Sequence, residues 1–285
     1  MKYLNIFIAI TSIYTSALNV SPVMAAPNEA DGINHEELSE TCAKSLTTIY
    51  GKINKNWKYA TDSSVWDTEA ISWEFQYALT NRGSTHYLRL KEETQSEIQE
   101  ALESILNSHT SADCMNAAKI ARIKLISDIL GFESMNALVT TLGRSCSIDS
   151  FQFWHSISWA FHSPCSEDHG GTYFVPFVNL PEYQKFKPDG DAINHNVFRL
   201  PNGEYIGFDP DFFTQSQSYD ELERYMFEAL TSNEYVQENK VGEHKDFCEK
   251  LTFEEFRSQR RAYQANFAPY TLDITKINRF IGTGN

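Results

Sequence analysis

Three residues of this chain have the types and the order that nucleophilic acyl transfer requires: Cys114, His195 and Asp209. Cys114 follows Asp113 at the head of a mostly apolar stretch, Ser111 to Gly131, which opens on capping residues and closes on a glycine. That pattern predicts a central helix with the thiol on its first turn. A helix N-terminus supplies partial positive charge, which lowers a thiol's pKa, and unpaired backbone N–H groups, which can hold the oxyanion of a tetrahedral intermediate. Asp113 acts in both directions. As N-cap it orders the helix, but its charge opposes a thiolate, so a cation such as protonated His195 is needed nearby.

His195 and Asp209 lie in Asn194-His195-Asn196-Val197-Phe198-Arg199-Leu200-Pro201-Asn202-Gly203-Glu204-Tyr205-Ile206-Gly207-Phe208-Asp209-Pro210. Asn202-Gly203 is a strong two-residue hairpin signal, and a hairpin turning there sets the histidine opposite the aspartate across the ladder. Directly paired side chains have Cβ atoms about 4.5–5.5 Å apart, close enough for a carboxylate to fix an imidazole tautomer. Nucleophile, base and orienter are then all present. Asp211 is the fallback orienter. Each residue also has a plainer reading: a cysteine on an apolar helix is often an inert small hydrophobe, a lone histidine is often structural, and Asp209-Pro210 suits a strand-ending turn.

These residues need both helices and strands to position them. Glu36 to Ile53 spaces Leu38, Leu46, Ile49 and Tyr50 as a helix does. Leu88 to Leu106 sets Leu90, Ile98, Ala101, Leu102 and Ile105 largely opposite Glu92, Glu93, Glu97 and Glu100, which predicts an amphipathic helix. Ser218-Tyr219-Asp220-Glu221 and Thr252-Phe253-Glu254-Glu255 are capping boxes that open helical patterns running to about Gln237 and Phe267. Thr172 to Val178 has the composition of a strand, with Pro176 placing it at an edge or interrupting it. Ile193 to Leu200 and Glu204 to Phe208 are the hairpin strands.

The chain opens as an export signal does: Met1-Lys2, an apolar run from Leu4 to Ile13, then Val23-Met24-Ala25-Ala26, with cleavage after Ala25. The run is too short and too interrupted by polar residues to span a bilayer. An exported protein, periplasmic or secreted, is expected, with no membrane association after signal removal. The formal charge of −14 becomes −15 without Lys2. Such a surface repels phosphate backbones and anionic lipid, so nucleic acid is excluded as a partner. Five cysteines outside the cytosol permit two disulfides among Cys42, Cys146, Cys165 and Cys248, leaving Cys114 as the free thiol. Local pairing of Cys146 with Cys165 is the preferred arrangement.

Taken together, these residues resemble the transglutaminase-like branch of the papain-like cysteine enzyme superfamily. In that branch a Cys at a helix start is followed by a His strand and then a strand ending in an aromatic-Asp-Pro turn, here Phe208-Asp209-Pro210. The acidic residue before Cys114, and the stretch from Tyr173-Phe174 to Asn196-Val197, look like the small bacterial spore-type transglutaminases. Those enzymes carry glutamate where this chain has His195, and the branch usually has an aromatic at Val197. The likeness covers roughly Ser111 to Leu230.

The resemblance implies an α+β fold, with a Cys-bearing central helix packed on an antiparallel sheet and helical N- and C-terminal extensions. The expected organisation is a signal peptide over 1–25, an N-terminal helical extension over 26–84, a catalytic core over 85–238 and a C-terminal helical extension over 239–285. It implies attack of Cys114 on a protein glutamine carboxamide, loss of ammonia, and a thioester that lysine or water resolves. His195 would activate the thiol and protonate the leaving ammonia, Asp209 would orient His195, and the Cys114 N–H would face the oxyanion. The partner is then a glutamine-bearing protein or peptide, with no cofactor and no metal.

Three other readings stand beside this one. A cysteine peptidase or peptidoglycan amidase would use the same triad. His162-x2-Cys165-x3-His169, with His155 nearby, could hold zinc, although its spacing fits no common zinc motif. A secreted binding module would keep Cys114 buried and unreactive. The C-terminal helix, with Arg257, Arg260 and Arg261, could cover the active cleft as a lid.

Overall fold

The computed structural model describes residues 34–59, 73–80, 83–90, 98–145, 161–166 and 170–282, all within the unit Ile33–Asn285. The fold is mixed α+β, built on an antiparallel five-stranded sheet. Its strands are β5 (His162–Pro164), β6 (Tyr173–Val178), β7 (Asn194–Arg199), β8 (Tyr205–Gly207) and β9 (Tyr270–Leu272), in the order β5-β9-β6-β7-β8. The strands alternate strictly in what they bury, as a period of two requires. Phe174, Phe198, Ile206 and Phe208 enter one core with the helices that precede the sheet in the chain. Tyr173, Val175, Phe177, Val197 and Tyr205 enter a second core with helices that lie between β6 and β9 in the chain.

The first core is organised by α1 (His35–Asn56), α2 (Ile98–Leu106) and α3 (Cys114–Ser145). Asn34 caps α1 by accepting the Glu37 N–H at 2.8 Å, and Leu38, Cys42, Leu46, Ile49, Tyr50 and Ile53 form its buried stripe. Each fully buried aliphatic side chain of that stripe contributes about 1.5–3 kcal/mol. Gly131 interrupts α3 at φ 75°, a left-handed conformation that glycine adopts without steric cost, so the Cys-bearing helix ends where the sequence predicts. After α1 the short β1 (Lys58–Tyr59) pairs in parallel with β4 (Ser111–Ala112), with Tyr59 opposite Ala112. This pairing fixes Tyr59 two residues from the thiol in register.

The second core gathers α4 (Pro181–Phe186), α5 (Tyr219–Thr231), α6 (Val241–Cys248) and α7 (Phe253–Gln264), with α8 (Ile274–Gly282) closing the chain beyond β9. Both predicted capping boxes are formed, at Ser218 with Glu221 and at Thr252 with Glu255. The helices end at Thr231 and Gln264, short of the expected Gln237 and Phe267.

Several expectations need correction. Leu88 to Leu90 is strand, not helix: β2 (Trp73–Thr80) and β3 (Gly83–Leu90) form an antiparallel hairpin, and the described helix begins at Ile98. Twelve strand residues, 58–59, 73–80 and 83–84, therefore lie within the segment expected to be a helical extension up to residue 84. The hairpin turn has three residues rather than two. Gly203 N–H donates to Leu200 O at 3.0 Å and Leu200 N–H to Glu204 O at 2.7 Å, and Gly203 alone in the turn has positive φ, +87°. Pro201, with φ held near −65°, suits the first central position of an ordinary turn, and Gly203 takes the left-handed bulge position after it.

Pro176 sits where β6 changes neighbours. β9 pairs β6 only at Tyr173 and Phe174, and beyond it the side chain of Gln264 takes over. Gln264 Nε2 donates to Pro176 O at 2.9 Å and its Oε1 accepts the Val178 N–H at 3.0 Å. The C-terminal segment thus supplies both a strand inside the sheet and the amide that finishes its neighbour. His162 lies on β5, while His155 and His169 fall outside the described residues. Cys42, Cys114, Cys165 and Cys248 form no disulfide with one another. Cys146 also lies outside the described residues.

Candidate functional site

Asp113 caps α3 as its sequence position predicts: its Oδ1 accepts the Asn116 N–H at 2.6 Å. Cys114 is therefore the first residue of the helix, with its own N–H among those that have no partner inside the helix. The side chain is 5% exposed and turns toward β7. There the thiol donates to Asn194 O at 3.6 Å, and Asn196 Nδ2 donates to Sγ at 3.4 Å. Burial pushes the Cys114 thiol above its usual range, the Asn196 donors oppose that, Asp113 adds to it, and Tyr59 again opposes it.

The sulfur thus meets β7 on both sides of His195, at Asn194 and Asn196. The ladder explains why. β7 and β8 pair from Arg199–Tyr205 to Val197–Gly207 and then part. One further step of two residues on each strand would bring His195 opposite Asp209. The expected register is therefore correct, but the strands have separated by the time it reaches the two site residues. Asn54 holds the parting open from α1, donating through Nδ2 to Gly207 O and to Phe213 O, each at 3.1 Å.

His195 is 1% exposed, and both its ring nitrogens lack a hydrogen-bond partner among the described residues. Strand alternation turns it toward the second core, on the face shared by its register partner Phe177. Aromatic rings surround it: Tyr225 at 5.1 Å between centroids, Phe213 at 6.3 Å and Tyr59 at 6.4 Å. Burial lowers its pKa to about 4, and the charge of Asp209 only partly offsets this. At neutral pH the imidazole is uncharged.

Asp209 directs its oxygens elsewhere. Oδ1 accepts the N–H groups of Asp211 and Phe212 at 3.1 and 3.3 Å, and Oδ2 accepts the Tyr225 hydroxyl at 2.9 Å. Asp211 is exposed, and its only hydrogen bond at the site is that backbone contact. The structure therefore does not bring the three expected residues together: Cys114 meets β7 from the face of Phe198, His195 turns to the opposite face, and Asp209 bonds the Tyr225 hydroxyl. No hydrogen bond links any two of them among the described residues.

Sequence reasoning missed Asn196, Tyr59 and Tyr225. Alternation could have found the first, because Asn196 shares the face of Phe198, toward the Cys-bearing helix. Tyr59 and Tyr225 arrive through long-range packing and have no local signal. Among the described residues no group of three or more His, Cys, Asp or Glu side chains could hold a metal ion. No protein-family profile, curated protein or solved structure matches this chain.

Proposed function

We propose that this protein is an exported cysteine acyl transferase of the transglutaminase-like kind, acting on glutamine carboxamides of proteins or peptides through a Cys114 thioester. The observation that carries the reading is the setting of the thiol: the first residue of a helix, with the Asn196 side-chain amide donating to its sulfur, against the strand that bears His195. Donors around a sulfur favour its charged form and cost little reorganisation when charge develops there.

In the chemistry proposed, His195 swings from the second-core face of β7 toward Cys114 and takes the thiol proton as Sγ attacks the carboxamide carbon. The imidazolium formed is stabilised by the nearby Asp209 carboxylate, and it returns the proton to the nitrogen that leaves as ammonia. Water then gives glutamate, and a lysine amine gives a crosslink. A neutral resting pair suits this order, since the proton moves only when substrate is in place. Because Cys114 and His195 are both buried, substrate entry requires Tyr59 or Tyr225 to move aside.

Ammonia release from casein, with and without a primary amine, tests the reading on the mature protein, Cys114→Ala and His195→Ala. Release lost in both variants supports acyl transfer, and amine incorporation separates crosslinking from deamidation. No release from a folded protein whose Cys114 labels rapidly with iodoacetamide points to a peptidase or cell-wall amidase. Absence of labelling as well leaves a binding module.

A further inference from the structure

The side chain nearest the sulfur by hydrogen bonding is not His195 but Asn196. Its Nδ2 lies 3.4 Å from Sγ, and the residue is 8% exposed. A buried side-chain amide that donates to a buried sulfur is more than packing requires. The thiol hydrogen is already accounted for by Asn194 O.

We propose that Asn196 is a catalytic residue, donating to the Cys114 sulfur in the resting protein and to the oxyanion of the tetrahedral intermediate during acyl transfer. The inference rests on Cys114 being the acyl-transfer nucleophile. When Sγ bonds to the carboxamide carbon, the C=O π pair moves onto oxygen, two bonds from the sulfur. A donor already touching the sulfur reaches that oxygen with a small rotation of its carboxamide, and the Cys114 N–H at the helix start supplies a second donor. On collapse the C=O bond re-forms, the C–N bond breaks, the nitrogen takes the proton from His195, and the Asn196 hydrogen bond returns to the thioester sulfur and oxygen.

The test is the pH dependence of iodoacetamide alkylation at Cys114, read by mass spectrometry of its peptide in the full mature chain. Asn196→Ala is expected to raise the midpoint by about one pH unit, the size of a lost hydrogen bond to a charged group. Asn196→Asp keeps the side-chain shape if the alanine variant does not fold, and it should raise the midpoint further by placing a carboxylate beside the thiolate. An unchanged midpoint in folded Asn196→Ala overturns the proposal. In the ammonia assay Asn196→Ala should lower kcat by about 10²–10³-fold with little change in KM. A raised midpoint with unchanged kcat overturns the oxyanion role. A raised midpoint with no ammonia from the unsubstituted protein upholds the sulfur contact and defeats the acyl-transfer reading instead.

Discussion

Tyr225 donates its phenolic hydrogen to Asp209 Oδ2 at 2.9 Å, and in doing so occupies a carboxylate oxygen that an imidazole would otherwise use. The same ring packs edge-on against His195. One tyrosine therefore both walls in the histidine and engages its prospective orienter.

Tyr225→Phe removes the hydroxyl while keeping the ring that stacks on Phe212. The freed carboxylate can then accept from His195, and the imidazole pKa is expected to rise from about 4 toward 6.5. A proton NMR titration of the His195 ring reads this directly. A midpoint that stays near 4 would show that Asp209 cannot reach the ring even when released.

Stability should carry the mark of His195 at acid pH. Its folded pKa, about 4, lies below the unfolded value near 6.5, so the unfolded chain binds the extra proton. Proton linkage costs nothing above pH 6.5, and stability falls as pH drops from 6.5 to 4, by roughly 3 kcal/mol in all. His195→Gln should flatten that limb. Urea midpoints at pH 7, 5.5 and 4.5 decide it, and parallel curves for the two proteins would contradict the burial argument.

Asp113 separates two effects that alanine would mix. Asp113→Asn keeps a capping side chain but removes the charge that opposes the thiolate, so the alkylation midpoint of Cys114 should fall with little change in melting temperature. Asp113→Ala should lower the midpoint too, while destabilising the protein by about 1 kcal/mol through loss of the cap. A midpoint that rises in Asp113→Asn would mean that the helix start, not the charge, controls the thiol.

Glu223 bears on folding rather than on the site. Its side chain is fully buried and bonds Arg257, Arg260 and Arg261 from α7, and Arg260 is itself buried over the Phe177 ring at 3.9 Å. Burial alone would raise the Glu223 pKa, but Arg261 and Arg260 more than reverse this and hold it low. Glu223→Gln should cost about 3–5 kcal/mol, because a buried guanidinium loses its counter-charge. Denaturant unfolding at pH 7 measures this, and a loss under 1 kcal/mol would show that Arg260 finds compensation elsewhere. Deleting the chain after Leu251 would remove Gln264 and β9 along with α7, and so would break the sheet itself.

What could be read from the sequence was local. The caps at Asp113, Ser218 and Thr252 depend on residues within one turn, and the His195-to-Asp209 register depends on counting outward from Gly203. What could not be read depended on distant partners. Leu90 has an amphipathic helical neighbourhood yet pairs with Trp73 across a hairpin. Pro176 reads as an edge marker, but only the arrival of Gln264 from α7 shows how the strand is completed. The site divides in the same way: the types and order of its three expected residues are visible in the chain, whereas the parting of the ladder that separates them is held by Asn54, more than a hundred residues upstream.

Tyr270 to Leu272 runs between strands that precede it in the chain by about a hundred residues, pairing β5 on one side and β6 on the other. A chain emerging from its N-terminus can build the β6-β7-β8 meander early, but β5 has no partner in the sheet until Leu272 is free. Assembly is therefore tied to the last-made strand, with long loops to close before any of its contacts form, and slow late folding follows. Until that strand inserts, Phe174 and its neighbours present an unpaired edge. The partly made protein is then more open to pairing with another chain, or to a protease, than the finished one.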